Sequence, residues 1–236
     1  MSVAYAINRA GQVAGESATT DNINFNHAFR WTPEGGLQDL GTLPGDTFSA
    51  AYGINDAGQV VGVSDISATG STQRRAFLWT PGSGMQDLGI VGDYYSGARA
   101  INNAGQVVGG YIPAGASYNH AFLWTEGGGL QDLGTLSDDP VRRYSYAWSI
   151  NNLGQVVGES GKAAWWYHAF SWTLGGGMQD LNLLTLPLPD PDKGWAAKVV
   201  NSSGWIAGND VWEEYGFLLT PMPISSPAIP FLLLAD

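Results

Sequence analysis

The chain repeats one short pattern five times, and this repeat restricts its fold more than any other feature. The first block of the pattern is Ile-Asn-x-x-Gly-Gln-Val, with changes in the last copy. Its copies begin 47 to 50 residues apart, at Ile7, Ile54, Ile101, Ile150 and Val200. Such a repeat is one supersecondary unit that cannot bury its own apolar face, so neighbouring units have to pack against each other.

Two further blocks follow the first block in order. His-Ala-Phe-x-Trp-Thr, or a close variant, begins at His27, Arg75, His120, His168 and, in a diverged copy, Tyr215. Gln-Asp-Leu begins at Gln38, Gln86, Gln131 and Gln179 and is missing from the fifth copy. Ordered matches in three blocks identify a true internal repeat.

Each block predicts a strand or a turn. In the first copy, Asn8 opens a four-residue turn in which its side chain can bond backbone amides ahead of it, and Gly11 suits positive φ. This turn predicts a hairpin between the apolar stretches on its two sides. The His-Ala-Phe-x-Trp-Thr block alternates like a strand, and a glycine turn leads from it to Gln-Asp-Leu as a fourth strand.

Four strands in about 47 residues match a propeller blade. We therefore predict an all-β fold, a five-bladed β-propeller over residues 1–221 in which each repeat forms one four-stranded blade. Residues 222–236 form a Pro-rich and apolar tail. Because the fifth copy lacks Gln-Asp-Leu, this tail is a candidate for the strand that closes the ring. The alternatives are that it lies elsewhere or pairs with another molecule.

Composition excludes several classes of function. The net charge is −11 with only 10 Lys and Arg, which argues against nucleic acid as a partner. No apolar run approaches the roughly 20 residues of a transmembrane helix, so we expect no transmembrane segment. The first repeat begins almost at once, so we expect no signal peptide in this chain.

Where His-Ala-Phe-x-Trp-Thr meets Ile-Asn-x-x-Gly-Gln-Val-Val-Gly, the sequence resembles the bacterial HAF-repeat family. The resemblance covers residues 3 to about 220 and implies a propeller-like, extracellular protein. Thr220-Pro221-Met222-Pro223, followed by Phe231–Leu234, is similar to the start of the Pro-rich sorting signal of many members. The long apolar segment and the basic end of that signal are absent. The family provides no activity or site to transfer.

Two repeated polar positions are candidate metal ligands. The three histidines, His27, His120 and His168, share one repeat position, but Arg75 and Tyr215 fill it in the other copies. A metal ring there is disfavoured, and we interpret the histidines as hydrogen-bonding anchors of a strand. The aspartates of Gln-Asp-Leu are expected to accept bonds from turn amides, with calcium as the alternative. They are Asp39, Asp87, Asp132 and Asp180. No other cofactor is expected.

Aromatic residues outside the repeated blocks are the candidate ligand-binding residues. Trp31, Trp79, Trp124 and Trp172 belong to the repeated strand and are predicted to be core. The candidates are assigned to variable loops between the second and third strands. They are Trp165, Trp166, Tyr167, Trp212, Tyr111 and Tyr118. Flat rings in loops form platforms for sugars and hot spots for protein partners. The alternative is that they fill gaps where the later repeats are longer.

These features favour a non-catalytic extracellular or cell-surface scaffold that binds a glycan or a protein. The alternatives are a lectin-type propeller and a subunit that assembles with itself through its tail. A glycoside hydrolase is least favoured, because it needs a pair of acids outside the repeat pattern. The candidates for such a pair are Asp138, Asp139, Asp190, Asp192, Asp210, Glu213 and Glu214. No known nucleophile or metal-hydrolase motif is present.

Overall fold

The structure is a computed structural model. It describes residues 2–19, 26–65, 73–90, 95–137, 139, 143–163, 166–184, 194–210, 215–221 and 231–234. For residues 163, 166, 184 and 231–234 it describes the backbone only. All statements below concern these residues.

The described residues form five antiparallel sheets of four strands each, as the repeat predicts. The first sheet contains β1 (Ser2–Ile7), β2 (Val13–Ala18), β3 (Asn26–Thr32) and β4 (Gly36–Asp39). The second contains β5 (Phe48–Ile54), β6 (Val60–Asp65), β7 (Arg74–Thr80) and β8 (Gly84–Asp87). The third contains β9 (Ser96–Ile101), β10 (Val107–Tyr111), β11 (His120–Thr125) and β12 (Gly129–Asp132).

The fourth sheet contains β13 (Ser145–Ile150), β14 (Val156–Ala163), β15 (Trp166–Thr173) and β16 (Gly177–Asp180). The fifth contains β17 (Trp195–Val200), β18 (Ile206–Asp210), β19 (Gly216–Leu219) and β20 (Phe231–Leu234). In every sheet the strands are neighbours in chain order. One short helix, α1 (Leu181–Leu184), follows β16. No described helix is long and apolar enough to span a membrane.

The chain divides into two compact units. The first unit comprises Met1–Ala116 and Leu123–Gln131, and the second comprises Ser117–Phe122 and Asp132–Asp236. The first unit therefore holds the first and second sheets, and the second unit holds the fourth and fifth. The strands of the third sheet are divided between the two units.

The repeated asparagine closes the hairpin turn as predicted. Asn8 Oδ1 accepts the backbone N–H groups of Ala10 at 3.1 Å and Gln12 at 2.9 Å, and Gly11 has φ of 72°. The same side chain also joins successive sheets, because Asn8 Nδ2 donates to the carbonyl oxygen of Asn55 at 2.9 Å. Asn151 makes the equivalent bond to the Asn201 carbonyl oxygen in the second unit, at 3.0 Å.

Within each unit, an apolar row on one sheet packs against small residues of the sheet before it. In the second sheet the row runs across all four strands, through residues that directly oppose one another. They are Ile54, Val60, Trp79 and Met85. It packs against Ala6, Ala14 and Ala28 of the first sheet. In the second unit, Val200, Ile206 and Leu219 of the fifth sheet pack in the same way against Val157 and Ala169 of the fourth.

The first sheet carries the same row, Ile7, Val13, Trp31 and Leu37, and we call it the first-sheet row. Here Ile7, Trp31 and Leu37 are exposed and Val13 is half-buried. Ile7 is 70% exposed against 9% for Ile54, and Trp31 is 38% exposed against 5% for Trp79. The prediction that Trp31 is a core residue is therefore wrong, because its side chain is exposed, whereas that of Trp79 packs against the first sheet.

The C-terminal segment Phe231–Leu234 is the fourth strand of the fifth sheet. It pairs antiparallel with β19, with Leu219 opposite Phe231 and Gly216 opposite Leu234. It thus stands where Gln-Asp-Leu stands in the other copies. Closure of the five sheets into one ring stays a prediction.

Candidate functional site

The first strand of every sheet contains a β-bulge at the same repeat position. In β1, Ala4 pairs with Gly15 and Ala6 pairs with Ala14, so Tyr5 has no partner in the ladder. The register shifts at the equivalent place in the other four sheets. The residues left unpaired, called the bulge residues below, are Tyr5, Tyr52, Arg99, Trp148 and Lys198. A bulge re-aims the side chain of its extra residue and often lies beside a functional site.

A glycine that is constant in all five copies makes each bulge sterically acceptable. A Cβ on Gly15 would lie 2.0 Å from the carbonyl oxygen of Val3, and one on Gly158 would lie 2.0 Å from that of Tyr146. The Phe of the His-Ala-Phe block also fills this space, since Phe170 would be 2.6 Å from a Gly158 Cβ. The constant Gly and Phe therefore form the frame, while the bulge residue on top of it varies.

In the first unit, three bulge residues and one acid form a continuous chain of contacts. The Tyr5 and Tyr52 rings meet edge to face with centroids 5.2 Å apart, and the Arg99 guanidinium lies 4.2 Å from the Tyr52 centroid. Tyr5 Oη donates to Glu16 Oε1 at 2.8 Å. This first-unit cluster of Tyr5, Tyr52, Arg99 and Glu16 presents aromatic surface, one cation and one carboxylate together.

The electrostatics of the first-unit cluster keep its phenols protonated. Burial, the hydrogen bond to Glu16 and the Glu16 charge raise the pKa of Tyr5 to about 12. Burial also raises the pKa of Tyr52, and the Arg99 charge partly opposes that shift. Both phenols are protonated at physiological pH, as an ordinary tyrosine also is, and their hydroxyls can donate hydrogen bonds.

In the second unit, the bulge residues Trp148 and Lys198 form a similar cluster with another acid. Lys198 Nζ lies 4.2 Å from the Trp148 ring centroid and 3.3 Å from Glu159 Oε2. Tyr144 Oη donates to Glu159 Oε1 at 3.1 Å, and the Tyr146 ring lies 4.6 Å from Trp148. We call Trp148, Lys198, Glu159 and Tyr144 the second-unit cluster. Burial and the nearby Glu159 carboxylate raise the pKa of Tyr144 well above its ordinary value.

The acids of the two clusters occupy one repeat position, since Glu16 and Glu159 each follow the conserved glycine of the second strand. Glu159 is buried, and each of its oxygens is engaged by a different donor. Such a carboxylate acts as an ion-pair partner that fixes Lys198 over Trp148. The arrangement is suited to binding, through cation–π and hydrogen-bonding contacts, more than to proton transfer.

The aromatic residues predicted to bind a ligand lie in different environments. Trp165 and Trp212 lie outside the described residues, and of Trp166 only the backbone is described. Trp166 and Tyr167 lie in β15 and not in a loop, because β14 and β15 continue pairing through Ala163 and Trp166. Tyr167 is exposed, with its ring 5.0 Å from that of Tyr144.

The two tyrosines predicted for the third repeat also differ. Tyr111 is the last residue of β10 and is buried, so its ring offers no surface platform. Tyr118 lies in the connection between β10 and β11 and is exposed, in keeping with the predicted loop position.

The repeated histidines are strand anchors, as interpreted from the sequence. His27 Nδ1 lies 3.0 Å from Asp39 Oδ2, and His168 Nδ1 lies 2.9 Å from Asp180 Oδ2. His120 with Asp132 and Arg75 with Asp87 form the same cross-strand pair. Each aspartate also accepts a backbone N–H two residues ahead, such as that of Gly41 on Asp39 at 2.8 Å.

The predicted interaction of these aspartates with turn amides is thereby confirmed. Among the described residues, no group of three or more His, Asp or Glu side chains is placed to hold a metal ion. Of the acids considered for hydrolysis, Asp139 and Asp210 are described, and Asp210 is buried. Asp138, Asp190, Asp192, Glu213 and Glu214 lie outside the described residues.

Sequence reasoning missed the bulge residues, although the sequence contains a signal for them. Two positions before the Ile of each Ile-Asn block, or the Val of the last copy, the repeat has Tyr, Tyr, Arg, Trp and Lys, and the residue just before it is Ala in all five copies. A variable, large side chain directly after a constant alanine is the signal of the bulge residue. An alignment of the five copies identifies the bulge residues at that position.

No family model matches the sequence, and no curated protein matches it either. Several solved structures are similar. TolB from Acinetobacter baumannii matches with a TM-score of 0.60 at 10% identity, over 93% of this chain and 51% of that one. A catalytically inactive virginiamycin B lyase from Staphylococcus aureus, solved with quinupristin, matches with 0.59 at 10% identity, over 100% and 70%. A puromycin hydrolase matches with 0.52 at 14% identity, over 97% and 38%.

These similarities support a propeller-like fold and nothing more specific, because all the identities are low. The chain spans about half the length of the TolB chain that it matches. The neighbours include enzymes and a protein of another kind, so they do not indicate whether this chain has an activity.

Proposed function

We propose that this chain is a non-catalytic binding scaffold of propeller-like fold, acting outside the cell or at its surface. One observation carries the proposal: every sheet places a large polar or aromatic bulge residue on the same frame of one glycine and one phenylalanine, and four residue types fill the five positions. The frame fixes the position of each bulge residue. The residue type at that position can therefore change without disturbing the packing, and can be selected for binding. Tyr, Trp and Arg, which fill four of the five positions, are also the residues most enriched in binding hot spots.

Glycans are the ligand class that the clusters favour. Tyr5 and Tyr167 are exposed aromatic rings; the Glu16 carboxylate is bonded to the Tyr5 hydroxyl, and Arg99 lies over the neighbouring Tyr52 ring. Aromatic rings stack on the apolar faces of sugars while polar neighbours fix the orientation of the sugar.

The extracellular location and the HAF-repeat relationship remain predictions from the sequence resemblance. Assembly through the tail is less favoured, because Phe231–Leu234 already pairs with β19 of its own chain.

The test is binding to a broad array of oligosaccharides and polysaccharides. Trp148→Ala and Tyr5→Ala report on the two clusters, and a Trp165→Ala/Trp166→Ala variant reports on the aromatic candidates of the fourth repeat. Leu153→Ala, at an exposed turn position, is the control. Loss of a signal in a cluster variant alone supports the bulge residues as the site. Loss in the Trp165/Trp166 variant alone moves the site there, and no binding by the wild-type chain rejects the glycan proposal.

A further inference from the structure

The second-unit cluster continues, by direct contacts, from its bulge residues to an exposed aromatic ring on β15. Lys198 Nζ lies 3.3 Å from Glu159 Oε2, and Tyr144 Oη donates to Glu159 Oε1 at 3.1 Å. The Tyr144 ring in turn lies 5.0 Å from the Tyr167 ring, with the two planes tilted by 53°. These contacts join β17, β14, the residue before β13 and β15, and all of them lie within the second unit.

Both ends of this series of contacts are accessible. The Lys198 side chain is 37% exposed, and its ammonium group has three N–H donors, more than one carboxylate partner uses. Tyr167 is 39% exposed, so part of its ring is available for stacking. Glu159 is buried and Tyr144 is half-buried between them. The cluster therefore has one end that can bond hydroxyl groups and another end that can stack.

The strand register sets the distance between the two ends. Trp148, which carries Lys198 over its ring, lies on β13, and Tyr167 lies on β15, so the two backbones are about 10 Å apart across the sheet. Tyr167 pairs with Gly161, whose N–H donates to the Tyr144 carbonyl oxygen at 2.8 Å. Tyr167 is thus level with Tyr144, four positions from Trp148, which adds roughly 10 Å along the sheet.

An aromatic ring at the end of the cluster is particular to the fourth copy. Tyr167 stands directly before the anchoring His168. In the other copies the residue before the anchor position is polar: Asn26, Arg74, Asn119 and Glu214. The repeat therefore does not require a ring at this position, and Tyr167 is available for a role of its own.

We infer that the second-unit cluster binds an extended oligosaccharide, with one sugar residue at Lys198 and Trp148 and a further residue stacked on Tyr167. The inference rests on the proposed glycan-binding function and adds the length of the ligand to it. One sugar ring does not reach from Trp148 to Tyr167, since they are separated both across and along the sheet. At one end the Lys198 ammonium donates to sugar hydroxyls, and at the other the apolar face of a sugar covers the Tyr167 ring.

Calorimetric titration with sugars of increasing length tests the inference. The probes are glucose, mannose, galactose and N-acetylglucosamine, each from the monosaccharide to the linear tetrasaccharide. All variants are made in a Tyr5→Ala background, in which the first-unit cluster lacks its exposed ring. For at least one sugar, this background protein is expected to bind the longer chains about ten-fold more tightly than the monosaccharide. Tyr167→Ala is expected to remove that gain and to leave the affinity for the monosaccharide unchanged.

Two further variants serve as controls. Tyr167→Phe keeps the ring and is expected to keep the gain with length. Leu174→Ala, at an exposed position just beyond the other end of β15, is expected to keep it as well.

Several outcomes would overturn the inference and leave glycan binding itself intact. They are an affinity that does not rise with length, a gain that survives Tyr167→Ala, and an equal loss for all lengths in that variant. Binding by the wild-type chain that disappears in the Tyr5→Ala background would also overturn it, because the ligand would then bind in the first unit. No binding of any of these sugars overturns the inference, and no binding to the whole glycan array rejects the proposed function with it.

Discussion

At the scale of single residues, the constant glycine of the second strand explains the bulge that places the variable side chains. Gly15, Gly62, Gly109, Gly158 and Gly208 each leave room for a carbonyl oxygen of the first strand, about 2 Å from where a Cβ would stand. The sequence showed that this glycine is constant but not why, because the reason is a contact between two strands.

Gly158→Ala is expected to destabilise the protein by about 1–3 kcal/mol, the usual cost of forcing a methyl group into a packed site. The new Cβ would overlap the Tyr146 carbonyl oxygen and the Phe170 ring. Gly175→Ala is the control, since its Cβ would meet nothing within 4 Å. Urea unfolding of both variants measures the difference, and equal midpoints would contradict the steric explanation.

Each His–Asp pair is expected to contribute to the free energy of unfolding in proportion to the burial of its aspartate. The Asp180 side chain is 5% exposed and accepts bonds from His168 and the Asn182 amide, whereas the Asp39 side chain is 57% exposed. We expect Asp180→Ala to cost about 1–3 kcal/mol, because buried donors lose their acceptor. Asp39→Ala is expected to cost less than about 1 kcal/mol in the same unfolding assay. A larger loss for Asp39→Ala would show that burial does not control the pair.

The raised pKa of Tyr144 predicts a loss of folding stability at alkaline pH. Its pKa is raised in the folded state by burial and by Glu159, so the unfolded chain releases this proton at a lower pH than the folded one. The stability it contributes is complete below about pH 10 and is lost as pH rises through the folded pKa, by at most about 1.4 kcal/mol per pH unit. Urea unfolding between pH 9 and about pH 11 should therefore show a steeper decline for wild type than for Tyr144→Phe. Parallel declines would contradict the raised pKa.

At the scale of elements, the sequence predicted the strands and turns well because their signals are local. The turn at Asn8–Gly11 and the alternation in His27–Thr32 depend on neighbouring residues, and both appear as predicted. The bulges were not predicted, since they depend on pairing between strands. The assignment of Trp166 and Tyr167 to a loop was wrong for the same reason: nothing in their own sequence tells how far β14 and β15 stay paired.

The tail strand gives a prediction at this scale. Deleting residues 224–236 removes β20 and exposes the edge of β19, so the melting temperature is expected to fall by about 2–4 °C for each kcal/mol of pairing lost. Hydrogen exchange should become faster in β18 and β19 and stay unchanged in β7 of the first unit. An unchanged melting temperature with unchanged exchange would show that the tail strand contributes no stability.

At the scale of the whole molecule, the repeat predicted five four-stranded sheets and packing between neighbouring sheets. Within the described residues the five sheets are present, and the first sheet packs on the second and the fourth on the fifth. It could not predict the exposure of Ile7 and Trp31, because the copies look alike in sequence whichever neighbours they have. The sequence also does not predict the candidate site. Recognition usually lies in loops, while Tyr5, Arg99 and Trp148 lie in strands.

The central claim is that the bulge residues are for binding and not for folding. It is tested most directly by replacing each of Tyr5, Tyr52, Arg99, Trp148 and Lys198 with alanine, and measuring affinity for the strongest array ligand together with unfolding in urea. We predict that at least one variant in a cluster loses ten-fold or more in affinity, about 1.4 kcal/mol. The same variant should unfold within about 1 kcal/mol of wild type. Unchanged affinity in all five variants, or losses that only follow losses of stability, would contradict the account.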